Sequence, residues 1–171
     1  MTATPPLEIE RKYLVRIPDL ACLRTAEAHT ESEIEQVYLD APAGQTHRIR
    51  CRRHSDGGTV YTETVKRRVS PIACEEEERV IDAEEFARLR AIRPMNRRII
   101  TKKRHTFVYK NQLFEVDIYP FWSKQCVVET ELSSEEEHAP FPPFLELLRE
   151  VSGDRRYSNA ALSRDIPPED I

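Results

Sequence analysis

Over most of the chain polar and apolar residues alternate with a period of two. In an extended backbone successive side chains point to opposite faces. Within residues 7–15, Glu8, Glu10, Lys12 and Leu14 therefore share one face, while Leu7, Ile9, Arg11, Tyr13 and Val15 share the other. The same alternation predicts strands over residues 32–40, 46–54, 59–67, 75–81, 96–110, 113–119 and 126–132. Turn residues separate them. Ala41-Pro42-Ala43-Gly44 marks one turn, Ser55-Asp56-Gly57-Gly58 a tight hairpin whose Asp-Gly pair supplies positive φ, and Lys110-Asn111-Gln112 another hairpin tip. Helical spacing is confined to short stretches. One starts at Pro18 and continues through Leu20, Leu23 and Ala26 to Ala28; one covers 84–92 behind an Asp82 cap; one covers 144–151 and stops at Gly153; and a turn or two covers 157–162.

Some eight strands joined mainly by short turns, with a few helices inserted, make the fold class α+β and mainly β. An antiparallel set of that size closes into an eight-stranded barrel with flanking helices, which removes exposed sheet edges. Leu7, Ile9, Val37, Leu39, Ile49, Val65, Val116, Ile118, Val128 and Leu132 form the outward apolar set, which the helices can cover. The charged positions are then left to line the interior. The expected organisation is a single domain over 1–171, with 1–6 a mobile lead-in, 133–143 an exposed acidic linker, 144–171 a C-terminal helical segment and 166–171 a frayed tail. Trp122, in the loop 120–124, reads as a packing residue.

Composition narrows the function. One third of the residues are charged, yet the net charge is only −4. No global basic field exists to attract nucleic acid, so any anion site must be local. Cys22, Cys51, Cys74 and Cys126 are widely spread with no C-x-x-C pair, which reads as reduced thiols. With no signal peptide and no apolar run of about 18 residues, the expectation is a cytoplasmic protein with no membrane partner, either monomer or homodimer. His29, His47, His54, His105 and His138 are scattered and read as surface residues, and four glycines leave no room for a phosphate-binding loop.

The inward charges come in both signs. Lys12, Arg48, Arg50, Lys66, Lys102 and Arg104 stand against Glu8, Glu10, Glu76, Glu78, Glu115, Asp117, Glu129 and Glu131. Burying so many charges is costly unless they neutralise one another. Two carboxylates remain in excess, a deficit that one divalent cation would cancel. Clustered carboxylates suit hard cations such as Mg²⁺ or Mn²⁺, and a ring of Arg and Lys suits phosphate oxygens. Around Lys102 the opposite-parity neighbours Thr101, Lys103 and His105 are also polar, and Glu75 and Glu77 compete with Glu76 and Glu78, so periodicity leaves the inward set open at both places.

The order of these motifs resembles the CYTH superfamily, the triphosphate tunnel metalloenzymes. It runs Glu8-x-Glu10-x-Lys12, Gln36-x-Tyr38, Arg48-x-Arg50, Thr64-x-Lys66, Glu76-x-Glu78, Lys102-x-Arg104, Glu115-x-Asp117, Glu129-x-Glu131 and Tyr157-Ser158-Asn159. The resemblance implies a tunnel barrel in which Glu8, Glu10, Glu129 and Glu131 hold a catalytic metal. It likewise implies that Lys12, Arg48, Arg50, Lys66, Lys102 and Arg104 grip the triphosphate. Glu76, Glu78, Glu115 and Asp117 become candidates for a second metal or for orienting water. Cys74 departs from the pattern, since relatives often carry a basic residue there.

The expected function is metal-dependent hydrolysis of a triphosphate, inorganic or nucleoside, to diphosphate and orthophosphate, with Mg²⁺ or Mn²⁺ as cofactor. Two alternatives share the same grip: a class IV-type adenylyl cyclase releasing cyclic AMP and pyrophosphate, and a polyphosphate- or nucleotide-binding module without turnover.

Overall fold

The computed structural model describes residues 6–171. The part of the lead-in at 1–5 lies outside the described residues. Nine strands make one antiparallel sheet: β1 (Leu7–Arg16), β2 (Glu27–Leu39), β3 (Gln45–His54), β4 (Thr59–Arg68), β5 (Ala73–Ile81), β6 (Ile100–Tyr109), β7 (Gln112–Ile118), β8 (Gln125–Leu132) and β9 (Leu147–Glu150). Their order is β5-β4-β3-β2-β6-β7-β8-β1-β9, and β1 also pairs with β5. The first eight strands therefore close into a barrel.

Closure is staggered along β1. Its first residues, Leu7 to Ile9, pair with Glu75 to Ala73 of β5, whereas Tyr13 to Val15 pair with β9. One edge of β1 is thus shared between the barrel wall and a short added strand. The hairpins form where turn chemistry places them: Lys110 and Asn111 both have positive φ (49° and 62°) between β6 and β7, and Gly57 has φ 96° between β3 and β4.

Outside, most of the predicted apolar positions are covered, while Leu7 stays 54% exposed. Helix α2 (Ala83–Ala91) lays Phe86 and Leu89 on Val37, Leu39, Ile49 and Cys51. It is capped by Asp82, whose carboxylate accepts from the Glu85 amide at 2.7 Å. A second cluster joins Val15, Phe107, Phe114, Val116, Cys126 and Val128 to Leu23 of α1 (Leu20–Leu23) and to Leu145. Inside, the barrel is not polar throughout. Leu14, Tyr38, Ile100, Tyr119 and Val127 share the inward parity of the charged residues, yet they pack with Trp122, Val151, Tyr157 and Leu162 into a buried cluster. Lining residues turn apolar at one level of the barrel, and chain from the C-terminal region packs onto it. Trp122 is only 4% exposed, a packing residue as expected.

The C-terminal region departs from expectation. Residues 144–151 are not a helix: β9 extends beside β1, because unpaired backbone on that edge outweighs the short stripe of apolar spacing. The helical content of 144–171 reduces to a 3₁₀ turn (Arg155–Tyr157) and α3 (Asn159–Leu162). Within 133–143, Ala139 and Phe141 pack on the barrel, Phe141 meeting Tyr13 edge-on at 5.0 Å. The segment after Ile166 is tied down rather than frayed. Trp122 donates to the Pro167 carbonyl at 3.0 Å, and Glu169 accepts from the amides of Ser123 and Lys124. Two further corrections are local: the helix behind Pro18 ends at Leu23 so that β2 starts at Glu27, and β6 starts at Ile100 rather than 96. All four cysteines are unpaired. No described helix is long and apolar enough to cross a membrane.

Because Leu14 is fully shielded at the centre of the inner apolar cluster, Leu14→Ala is expected to cost about 2–5 kcal/mol of unfolding free energy, read by urea denaturation. A cost under about 1 kcal/mol, typical of an exposed site, would show that the inner cluster is not packed as described.

Candidate active site

Above the apolar level the lumen opens into a cavity of about 710 Å³. β1 contributes Glu8, Glu10 and Lys12; β3 contributes Arg48, Arg50 and Arg52; β4 contributes Lys66; β5 contributes Glu76 and Glu78. Arg104 of β6, Glu115 of β7, and Glu129 and Glu131 of β8 complete the lining. Twelve of the fourteen residues singled out from the sequence line this one space. The inward set is thereby fixed as Glu76 and Glu78, since Glu75 pairs with Arg67 away from the cavity. Lys102 and Asp117 also point inward, but neither reaches the cavity. Both side chains are completely shielded, bonded to each other beneath Arg104.

Many of the wall residues neutralise each other, in one group around Arg104 and Lys12 and another around Lys66. Arg104 forks onto Asp117 at 2.6 and 2.7 Å, reaches Glu129 at 3.0 Å and also pairs with Glu115. Lys12 lies 2.8 Å from Glu129 and 3.5 Å from Glu10. Lys66 lies 2.7 Å from Glu76 and bonds Glu8 across the barrel closure. Glu78 accepts from the Thr64 hydroxyl at 2.8 Å.

The β3 arginines behave differently. Among the described residues no carboxylate lies within ion-pair distance of Arg48, Arg50 or Arg52. Arg50 meets only the Gln36 side-chain carbonyl at 3.3 Å, and Arg52 the Ser32 hydroxyl at 3.0 Å. Arg48 is 8% exposed and its Nε has no hydrogen-bond partner. Three guanidinium groups thus share one strand face with no carboxylate at ion-pair distance among the described residues, which is an arrangement suited to a multivalent anion.

Sequence reasoning missed part of the lining. Arg68, Arg97, Arg155 and Arg164 also edge the cavity, again without carboxylate partners among the described residues. Arg52 continues the parity of Arg48 and Arg50 and was legible. The other three beyond Arg68 come from turns and from the C-terminal chain, where no periodicity signals an inward face. His105 is a further correction: it is fully buried on the outer wall and hydrogen-bonds His29 at 3.0 Å.

A family model described as the CYTH domain matches residues 6–159. The chain belongs to the CYTH family. It is 32% identical over 161 residues to an inorganic triphosphatase of Nitrosomonas europaea, covering 94% of this chain and 99% of the relative. A crystal structure of an inorganic triphosphatase superposes with TM-score 0.57 at 31% identity, over 98% of this chain and 99% of that one. A protein of Pyrococcus horikoshii shares the fold at TM-score 0.57 and 19% identity, over 75% of this chain and 80% of that one.

The CYTH carboxylates fit a hard cation by donor chemistry and by charge. Glu8, Glu10, Glu129 and Glu131 offer only oxygen. Burial, and after it the neighbouring Glu129, push Glu10 up to about 7 against the pull of Lys12 and Lys66. Burial followed by Glu8 and Glu115 also raises Glu131. Carboxylates crowded in this way favour the protonated form. Glu129 goes the other way: burial opposes its charge, but Lys12, Lys102 and Arg104 overcome that and hold it well below the usual carboxylate range. Among the described residues no three acidic, histidine or cysteine side chains already surround one point, and lysine ammoniums stand between the carboxylates.

On the arginine side, burial and then the repulsion of Arg48 lower Arg50 to about 10, which leaves it charged at neutral pH.

The raised Glu10 gives a pH prediction. Below pH 4.5, its ordinary value, folded and unfolded chains both keep the proton; as pH rises towards about 7 the unfolded chain releases it first. The stability cost of Glu10 therefore grows across that window and is complete above it. Glu10→Gln should raise the melting temperature of cation-free protein at pH 8, and the gain should fade as pH drops to 4.5. Equal gains at both pH values, in a melting series with EDTA, would contradict the burial of a costly anion.

Proposed function

We propose that this chain hydrolyses inorganic tripolyphosphate to diphosphate and orthophosphate inside the barrel lumen, with Mg²⁺ or Mn²⁺ as its cation. The observation that carries the reading is the opposition of two walls in one cavity: unpaired Arg48, Arg50 and Arg52 face a side built from Glu8, Glu10, Glu129 and Glu131. The inorganic triphosphatase of Nitrosomonas europaea, matched along nearly its whole length, supports it.

Phosphoryl transfer asks a protein chiefly for positioning and charge neutralisation. The β3 guanidinium groups bind phosphate oxygens in forked pairs, and the partnerless Nε–H of Arg48 donates to one such oxygen. Lys12 and Lys66 add point charges from β1 and β4. Arg104 is already saturated by Asp117, Glu115 and Glu129, so its role is to fix those carboxylates. Lys102, sealed against Asp117, acts in the same supporting layer rather than as a phosphate contact. Glu8, Glu10, Glu129 and Glu131 would hold the cation, which supplies charge to the phosphate oxygens as negative charge builds on the leaving group. A glutamate beside the cation would orient the attacking water or take a proton from it. The water oxygen bonds to the terminal phosphorus, the bridging P–O bond breaks, and diphosphate departs.

Incubation with tripolyphosphate and Mg²⁺ or Mn²⁺ is expected to release orthophosphate. With ATP, cyclic AMP plus pyrophosphate would establish the cyclase instead, and tight binding without product would establish a binding module. Arg50→Ala should raise KM for tripolyphosphate about 10- to 100-fold, the worth of a charged hydrogen bond, with a smaller change in kcat. Glu129→Gln should lower kcat about 10²-fold or more while sparing much of the affinity. Activity untouched in both variants would remove the site from this lumen.

A further inference from the structure

Three of the four carboxylates that would hold a cation, Glu8, Glu10 and Glu129, already have a lysine ammonium beside them. Lys12 Nζ stands between Glu10 Oε1 at 3.5 Å and Glu129 Oε1 at 2.8 Å. Lys66 Nζ stands between Glu76 Oε2 at 2.7 Å and Glu8, its other partner. Each ammonium joins carboxylates of two strands, β1 with β8 in the first case and β1 with β5 in the second. A divalent cation cannot reach the same oxygens while the ammoniums stay, because like charges would meet at about hydrogen-bond range in a partly desolvated space.

The arginines opposite have no such engagement, and this asymmetry has a consequence for lysine. Its charge is a compact point on a flexible four-carbon stem, able to exchange one oxygen partner for another by rotation alone. Arg104, forked and triply paired, has no comparable freedom. A polyphosphate seated on Arg48 and Arg50 brings oxygens that compete with Glu10, Glu129, Glu8 and Glu76 for the two ammoniums.

Resting on the hydrolase reading of this lumen, we propose that Lys12 and Lys66 are positioning residues that occupy the cation site until a polyphosphate draws their ammoniums away, so that anion and cation bind with positive coupling. The lysines serve as internal counter-ions in the empty protein and as phosphate contacts in the loaded one. Each role excludes the other at a given moment. Coupling of this kind is reciprocal: whatever the polyphosphate contributes to cation affinity, the cation returns to polyphosphate affinity.

The test is a calorimetric titration of phosphate-free protein with MnCl₂ alone. Lys12→Met and Lys66→Met are expected to bind Mn²⁺ about tenfold or more tighter than wild type, a typical coupling. Arg50→Ala removes the same charge from the same lumen without opening an inter-carboxylate position, and should change Mn²⁺ affinity far less. Sulfate, at ionic strength fixed with NaCl, stands in for phosphate groups without chelating Mn²⁺ strongly. It should tighten Mn²⁺ binding to wild type more than to Lys12→Met, in which only Lys66 is left to be drawn away. The wild-type sulfate arm decides the matter alone where a lysine variant does not fold. Wild type that binds Mn²⁺ as tightly as the lysine variants, or that ignores sulfate, overturns the proposal. The two readings fail separately: a wild type releasing no orthophosphate from tripolyphosphate overturns the hydrolase assignment, whereas unmoved Mn²⁺ affinities overturn this one.

Discussion

Charge removed from water inside the barrel is the constraint to which the remainder of the structure answers. An ionised side chain in a low-dielectric interior is tolerated only with a partner and with its remaining hydrogen bonds satisfied. Arg104 and Lys102 both find that partner in Asp117, each with almost no exposure. Around that sealed knot the wall becomes progressively wetter, through Glu129 and Lys12 to Glu10, Glu8 and Lys66. The ion pairs span β1, β6, β7 and β8 in one group and β1, β4 and β5 in another. The second group ties the barrel closure together through the Lys66 bridge from β5 to β1, close to the three residue pairs that seal the wall.

Neutralisation is deliberately incomplete on one side. The carboxylate wall has lysines within reach, while the β3 arginines have only neutral oxygen partners. Leaving guanidinium groups without an ion-pair partner costs stability, and such a cost is tolerated where binding recovers it. The inner apolar cluster of Leu14, Tyr38, Ile100, Tyr119 and Val127 limits the lumen at one level. Water is excluded there, so electrostatic interactions just above it are strengthened. The C-terminal chain completes that level with Val151, Tyr157 and Leu162, and is in turn latched by Glu169 onto the loop before β8.

Much of this was legible in the alternation of the chain. Glu8, Glu10 and Lys12 could be placed on one face because Ile9 and Arg11 must face the other, and the Asp-Gly hairpin fixed β3 against β4. The places where reading failed share a cause. At 101–105 every residue is polar, so no hydrophobic marker identifies the inward parity; burial of Lys102 and Arg104 decided it. At 144–151 apolar residues at helical spacing suggested a helix, whereas the free edge of β1 recruited a strand. His105 gave no sign of burial, because its cover comes from a bulged part of β2 that brings His29 across.

Local sequence settled which residues alternate, where the tight turns fall, and hence that charged pairs recur on one face of an antiparallel sheet, because strand geometry has a fixed period of two. Only the tertiary structure separated residues of identical parity into a sealed ion-pair layer, a cavity lining and an apolar floor. Parity gives a direction, but height along the barrel axis depends on stagger and on the chain that packs from elsewhere. That is why Lys102 and Arg48, equal in sequence pattern, end as a buried support and an unpaired guanidinium.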